Sequence, residues 1–134
     1  MKKIVVLIAL GVCCVLQAGL IAYLLLSPSL RYKRTQTELS LSRVLCYQVH
    51  SGDTLARVTE LLGPGVPASR EHYDRRASHH SKFPEFYPVG IQDTDTLLLY
   101  PCREWTTIWL QFRDGKLVNH TPEVYRRNIE RLDR

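Results

Sequence analysis

An uncharged apolar run near the amino terminus is the feature that most constrains this chain. Ile4 to Leu26 is a stretch of 23 residues without a charged side chain. As a helix it would be about 35 Å long, enough to cross a hydrocarbon core of about 30 Å. Secretory signals have a shorter apolar region that ends in a small-x-small cleavage site, and no convincing site of that kind is present here. We therefore interpret residues 1–26 as an uncleaved signal anchor, a transmembrane helix. A cleaved signal is the first alternative, and a lipoprotein or a cytosolic protein is the last.

Basic residues flank the apolar run on both sides. Lys2 and Lys3 precede it, and a cluster follows it at Arg31, Lys33 and Arg34, where contact with lipid headgroups explains the charge. A very short amino-terminal tail with two lysines usually stays in the cytoplasm. We therefore expect a single-pass membrane protein with the lipid bilayer as one partner and the main domain on the extracytoplasmic, periplasmic side.

The rest of the chain is nearly balanced in charge. Of the 18 basic residues, 16 lie beyond residue 26 together with all 13 acidic residues, so this part has a formal charge of +3. That is too mild and too evenly mixed to indicate nucleic-acid binding. The length allows one core. We expect a juxtamembrane linker at residues 27–45, an α+β domain at 46–120 and a C-terminal amphipathic helix at 121–134.

The sequence predicts one short helix in full, with the residues that begin it, the residues that end it and its buried face. Gly52 allows a sharp turn, Asp53 or Thr54 can cap the first amides, and Gly63 followed by Pro64 ends the helix. Between these signals, apolar residues recur at helical spacing, at Leu55, Val58, Leu61 and Leu62. A helix of about three turns is unstable alone in water, so we expect it to pack on a sheet. A short strand is expected just before it, at residues 47–49.

The strongest strand signals come after residue 96. Leu97 to Tyr100 is apolar, and residues 105–112 alternate and are rich in β-branched and aromatic side chains. Asp114-Gly115 predicts a hairpin turn before a further strand at residues 117–119. The inward face of the middle strand is formed by Ile108, Leu110 and Phe112. The predicted fold class is α+β, with short helices packed on a three- or four-stranded antiparallel sheet.

Residues 64–93 are the longest stretch without a clear period, and such loops are functional or mobile. We expect a second short helix at Ser69 to Ala77. An aromatic anchor to the core is expected further on, at Phe83, Phe86 and Tyr87. The loop also contains His72, His79 and His80, which lack the spacing of a structural zinc site. Because no nucleophile signature is present either, we predict no metal, no cofactor and no catalytic residue.

Cys46 and Cys102 are the two cysteines outside the apolar run. Cys46 precedes the strand expected at residues 47–49, and Cys102 follows the strand expected at residues 97–100. If these strands pair antiparallel, the two cysteines come within bridging distance. They are therefore a candidate disulfide, which would require an oxidising compartment.

Trp105 and Trp109 are candidate binding residues. Trp109 alternates away from the inward face of its strand, so its side chain and that of Trp105 can be partly exposed. Exposed tryptophans stack on sugar rings or fill protein interfaces. Burial under the last helix is nevertheless the favoured explanation.

Parts of the sequence resemble two families of envelope modules. The opening of a LysM domain, a βααβ module associated with binding N-acetylglucosamine glycans of peptidoglycan or chitin, resembles Tyr47-x-Val49-x-x-Gly52-Asp53-Thr54-Leu55. The first helix of the SmpA/OmlA (BamE-like) family, small domains with helices on a three-stranded antiparallel sheet, resembles Gly52-x-Thr54-x-x-x-Val58-x-x-x-Leu62-Gly63. The two patterns share one stretch, and they imply Gly52, Asp53 and Thr54 as candidate binding residues.

The strand region separates the two resemblances. It is similar to the strand pair of the SmpA/OmlA family in order and spacing, as Ile108-x-Leu110-x-Phe112-x-x-Gly115-x-Leu117-Val118. This favours an SmpA/OmlA-like domain, and with it a membrane-anchored envelope module that binds or scaffolds a protein and is not an enzyme. The alternative is a LysM-like peptidoglycan-binding protein, because residues 97–101 also resemble the end of a LysM module. An unrelated small α+β domain is the third possibility.

Overall fold

The apolar run forms helix α1, Lys2–Leu26. The structure, a computed structural model, describes residues 1–77, 88 and 90–134. From Lys2 to Tyr23, α1 has a mean hydropathy of 2.8, and none of this segment is buried inside the protein. The helix is long and apolar enough to cross a bilayer and is compatible with a membrane anchor or a signal sequence.

Residues 27–45, expected to form a linker, instead contribute two helices to the core. These are α2, Pro28–Thr35, and α3, Glu38–Tyr47. Thr37 caps α3 by accepting a hydrogen bond from the Ser40 amide at 3.3 Å. The buried apolar side chains of this region include Tyr32, Leu41, Val44 and Leu45. Helix α2 has few apolar positions, and the buried apolar side chains of both helices are covered by elements far away in the sequence.

The strand expected at residues 47–49 is not formed. Tyr47 is the last residue of α3, and Val49 lies in the loop that follows, although it is fully buried. The Val49 amide donates to the Val44 carbonyl at 3.2 Å, so this amide completes the end of a helix. The prediction is wrong because a buried valine after a helix has the same apolar character as a valine in a short strand.

Four antiparallel strands form one sheet in the order β1-β2-β3-β4. Their bounds are β1 Val66–Ala68, β2 Thr96–Pro101, β3 Thr107–Arg113 and β4 Lys116–Leu117. Asp114 and Gly115 join β3 to β4 with φ angles of 50° and 74°, and two positive φ angles are what a tight hairpin turn of this kind needs. The α+β fold class and the predicted hairpin are confirmed.

Helix α4, Leu55–Leu62, packs on one face of the sheet as predicted. Thr54 caps it by accepting from the Arg57 amide at 3.2 Å, and Gly63 ends it with a φ of 82°. Helices α3 and α6, Pro122–Leu132, close the same core. Members of this core cluster include Leu45, Val58, Leu62, Ile108, Phe112 and Tyr125. We call this side of the sheet the first face.

The second face of the sheet carries a smaller cluster of Leu97, Leu99 and Trp109. Helix α5, Arg70–Ala77, covers it, and the ring of Tyr73 meets Trp109 edge-on with the ring centres 5.5 Å apart. The second short helix predicted from the sequence is therefore confirmed. The aromatic anchor expected at Phe83, Phe86 and Tyr87 lies outside the described residues.

Candidate functional site

Gly52, Asp53 and Thr54 lie beside the edge strand β4. The Gly52 amide donates to the Leu117 carbonyl at 2.8 Å, and the Leu117 amide donates to the Asp53 carbonyl at 2.9 Å. The Asp53 carboxylate accepts from the His50 amide at 2.8 Å. These groups attach the start of α4 to β4, which is a structural role. Their role in binding stays a prediction.

The two tryptophans lie in opposite environments and do not form one site. Trp105 is 97% exposed and Trp109 is 1% exposed. Trp109 meets the rings of His72 and Tyr73 edge-on, with centroids 5.8 and 5.5 Å away. It is therefore buried under α5, and the expected burial under the last helix is wrong. The last helix packs mainly on α3, which lies on the first face.

The two candidate disulfide partners, Cys46 and Cys102, are free thiols. The strand pairing that suggested a bond between them is absent, because Cys46 lies on α3 and β2 pairs with β1 and β3. Cys102 is buried, and this burial, with the nearby Glu38 and Glu104 carboxylates, raises the pKa of its thiol to about 12. At neutral pH Cys102 is protonated, so it is a poor nucleophile.

An open groove lies between α2 and the ends of β1 and β2. It has a cavity volume of 480 Å³, which is within the range of ligand sites in proteins. Its walls are Tyr32, Lys33, Gln36, Leu62, Gly63, Pro64, Val66, Leu99, Tyr100 and Pro101. We call it the α2 groove. Apolar and aromatic side chains dominate its lining, and Lys33 is its charged residue.

Hydrogen bonds to backbone carbonyls position the polar groups of the α2 groove. The Lys33 ammonium donates to the Glu60 carbonyl, and the Tyr100 hydroxyl donates to the Gly63 carbonyl at 3.1 Å. Burial raises the pKa of Tyr32 and raises that of Tyr100 to about 12, so both phenols are neutral. The lysine charge faces no carboxylate in these contacts, which leaves it available to an acidic group.

Prolines limit what the sheet edge at the α2 groove can bind. Pro67 is the middle residue of β1, the outer strand, and Pro101 is the last residue of β2. Proline has no amide hydrogen, so these positions cannot donate to an added strand. A ligand of the groove must therefore bind mainly through side-chain contacts.

Two carboxylates with buried side chains act as structural clamps. Glu38 accepts from Arg131 and Asn128 at 2.9 Å each and from the Thr106 hydroxyl at 2.7 Å, which joins α3 to α6 and to the β2–β3 loop. Asp95 accepts from the Arg113 guanidinium at 2.9 Å. That guanidinium holds the pKa of Asp95 well below its usual range. An aspartate held so firmly in its charged form is not suited to act as a general acid or base near neutral pH.

Histidines give no metal site among residues 1–77, 88 and 90–134, where no group of three or more His, Cys, Asp or Glu side chains could hold an ion. His72 lies against Trp109, while His79 and His80 lie outside the described residues. His120 was not singled out by sequence reasoning, although it is buried. One of its ring nitrogens, Nε2, is 2.6 Å from the Leu45 carbonyl, and Nδ1 has no hydrogen-bond partner in the described part of the chain.

Sequence reasoning missed the α2 groove. Its walls come from positions as distant as Tyr32 and Pro101, and no local pattern connects them. The basic cluster around Lys33 was the one available signal. Comparison with family models, curated proteins and solved structures finds no match for this chain, so the SmpA/OmlA and LysM resemblances stay predictions based on short motifs.

Proposed function

We propose that this chain is a membrane-anchored binding module of the cell envelope that holds a protein partner close to the membrane surface, without catalysis. The observation that carries this proposal is the absence of a flexible tether at residues 27–45. One extended residue, Ser27, separates α1 from α2. The next residues are already packed, because Ser29 donates to the Leu61 carbonyl and Tyr32 is buried. A domain attached in this way reaches only partners at the membrane surface.

The α2 groove is the surface that we assign to the partner. It combines an apolar and aromatic lining with one lysine, and Val66 at its rim is half exposed. Apolar anchors surrounded by a few polar groups are typical of protein-binding surfaces. Because Lys33 forms no ion pair with the residues that the structure describes, the groove fits an extended segment that carries an acidic side chain. Pro67 and Pro101 favour docking by side chains over addition of a strand.

The fold supports a protein partner rather than a glycan. The meander of β2, β3 and β4 agrees with the antiparallel sheet that the SmpA/OmlA resemblance implies. The LysM resemblance implies an opening strand at residues 47–49, and these residues form the end of α3 and a loop. Both observations favour binding or scaffolding of an envelope protein.

Site-specific photo-crosslinking of the full chain in envelope membranes of its native host tests this function. The photoreactive residue is placed at Val66 on the groove rim or at Tyr47, which is 60% exposed against 50% for Val66 and does not line the groove. We expect a discrete adduct with an envelope protein from position 66 and none from position 47. The same adduct should become several-fold weaker in a chain that also carries Lys33→Glu, because the charge that faces the partner is reversed.

Three outcomes contradict the proposal. Equal adducts from positions 47 and 66 would show that contact with the partner is not specific to the groove. A yield that does not change with Lys33→Glu would remove the acidic segment from the proposal. Retention of the full chain on purified peptidoglycan, without an adduct from position 66, would replace the protein partner with the glycan alternative.

A further inference from the structure

Trp105 is the most exposed large apolar side chain after residue 26 among the described residues. It is 97% exposed, and the next is Tyr47 at 60%. The only other tryptophan, Trp109, is buried at 1%. Tryptophan is amphipathic and seldom left fully in water, so a side chain presented in this way indicates a contact surface.

The loop that presents Trp105 is held in place by its own hydrogen bonds. The Cys102 amide donates to the Thr106 carbonyl at 2.7 Å, and the Trp105 amide donates to the Cys102 carbonyl at 3.1 Å. Trp105 has a φ of 67°, a left-handed conformation that bulky residues disfavour. Such a conformation persists where the surrounding structure imposes it. The indole is therefore presented outward by a fixed loop.

The same loop is attached to the end of α2. The Arg103 amide donates to the Gln36 carbonyl at 2.9 Å. The Glu104 carboxylate accepts from the Glu38 amide, also at 2.9 Å, and so caps the start of α3. Trp105 therefore directly follows two residues that bind the α2–α3 junction. Its loop is held close to the end of α2.

Helix α2 stays close to the point where α1 ends. It has 8 residues, so it is about 12 Å long. Ser27 has an extended conformation with a ψ of 115°, which interrupts the helix between α1 and α2. Both ends of α2 therefore lie within about 12 Å of the end of α1, close to the headgroups of a membrane that α1 spans.

Charge on α2 complements an anionic surface. Its buried residues are Ser29 and Tyr32, and Arg31 and Arg34 are exposed. Basic residues next to a membrane helix are attracted to anionic lipids, and tryptophan concentrates at the membrane interface. A membrane surface with anionic lipids can therefore bind both the basic residues of α2 and the exposed tryptophan.

We propose that Trp105, Arg31 and Arg34 dock the domain on the anionic headgroup layer of the membrane that holds α1. The inference rests on the proposed anchoring and adds an orientation to it. The groove partner would then be bound at a fixed angle to the bilayer, because the domain is held at two places, the end of α1 and the β2–β3 loop.

Tryptophan fluorescence of the full chain in vesicles tests the docking. The chain has two tryptophans, so the spectrum of the unmodified protein minus that of Trp105→Phe isolates the signal of Trp105. The vesicles contain phosphatidylcholine with or without phosphatidylglycerol. With phosphatidylglycerol present, we expect the emission of Trp105 to shift to the blue, with about twofold weaker quenching by aqueous iodide and strong quenching by lipids brominated near the headgroup. Arg31→Ala with Arg34→Ala should reverse these changes.

A chain carrying Trp105→Phe and Glu130→Trp is the matched control, because Glu130 is exposed on α6. Its new indole should stay accessible to iodide in both kinds of vesicle. Accessible Trp105, or equal protection without phosphatidylglycerol, overturns the docking. An alkaline wash of the same vesicles separates the two proposals. A chain that is washed off overturns the anchoring and the docking together, whereas a retained chain with accessible Trp105 overturns the docking alone.

Discussion

The two faces of the sheet are held in different ways. Among the described residues, the cluster on the first face contains sixteen buried residues and that on the second face contains three, so most of the apolar stabilisation that these residues provide lies on the first face. The second face has a polar clamp beside its small cluster. There Asp95 accepts from Gln111, Arg113 and the Gln92 amide. The first face should therefore be more sensitive to lost volume, and the second face more sensitive to lost charge.

Leu98 and Leu99 test the difference in volume directly. They are neighbours on β2, they are 7% and 5% exposed, and they belong to the first and second clusters respectively. We expect Leu98→Ala to lower the free energy of unfolding by about 4 kcal/mol and Leu99→Ala by about 2 kcal/mol. The second cost is smaller because Leu99 also lines the open α2 groove, where solvent can fill the space. Denaturant unfolding of the detergent-solubilised chain, followed by circular dichroism, measures both. Equal losses would contradict the comparison.

The two buried carboxylates test the difference in charge. All the partners of the Asp95 carboxylate in the contacts above are donors, so the amide of Asp95→Asn would face another donor. At Glu38, one partner is the Thr106 hydroxyl, which can also accept, so Glu38→Gln can keep its contacts. We expect Asp95→Asn to cost about 2 kcal/mol and Glu38→Gln below about 1 kcal/mol. The same unfolding measurement checks the order, and a larger loss for Glu38→Gln would reverse it.

The Asp95 effect should also depend on pH. Because its pKa is lowered in the folded state, the unfolded chain takes up the proton first as the solution is acidified. The stabilising contribution is therefore fully present above the ordinary aspartate pKa of about 3.9 and is lost as the pH falls below it, toward the folded pKa. The difference between the unmodified chain and Asp95→Asn should shrink in that range. A difference that is constant with pH would contradict the ionic clamp.

Local signals explain which parts of the fold could be predicted. The α4 helix has Thr54 and Gly63 at its ends and its apolar residues between them, and the hairpin at Asp114-Gly115 has the residues its turn needs. Each of these is determined within about ten residues of sequence. The α2–α3 region differs, since Tyr32 and Leu41 become core residues only when the sheet and the helices from the far end of the chain cover them. Such long-range contacts do not produce a periodic pattern in the sequence.

The candidate site was less predictable than the fold for the same reason. The α2 groove forms only where α2 and β2 lie side by side. Lys33 and Tyr100 are far apart in the sequence, so no local pattern predicts that they line the same groove. Trp105 was one of the two candidate tryptophans; it is exposed, and its role in binding stays a prediction. Its neighbour at position 109 has the same residue type but is buried under α5. Residue type alone therefore could not tell a surface tryptophan from a core one.

His120 is the pH-sensitive group expected on the first face, and its effect is the smallest of those predicted. Its imidazole lies against the ring of Tyr125, with the ring centres 5.4 Å apart and the ring planes tilted by 31°. Burial, with a smaller contribution from His50, lowers the pKa of His120, and its unpaired Nδ1 would hold any added proton without an acceptor. The unfolded state therefore binds more protons just below the ordinary histidine pKa of about 6.5, so stability falls as the pH drops through this value.

Replacement by a residue that does not titrate should remove that slope. His120→Gln keeps a donor for the Leu45 carbonyl but has no ionisable ring, so its free energy of unfolding should change less between neutral pH and pH of about 5. One group can contribute at most about 1.4 kcal/mol per pH unit, which sets the upper limit of the difference. His50→Gln is the control, because the His50 side chain is 75% exposed and its loss should leave most of the slope. If the two variants flatten the pH dependence equally, the buried ring of His120 is not its main source.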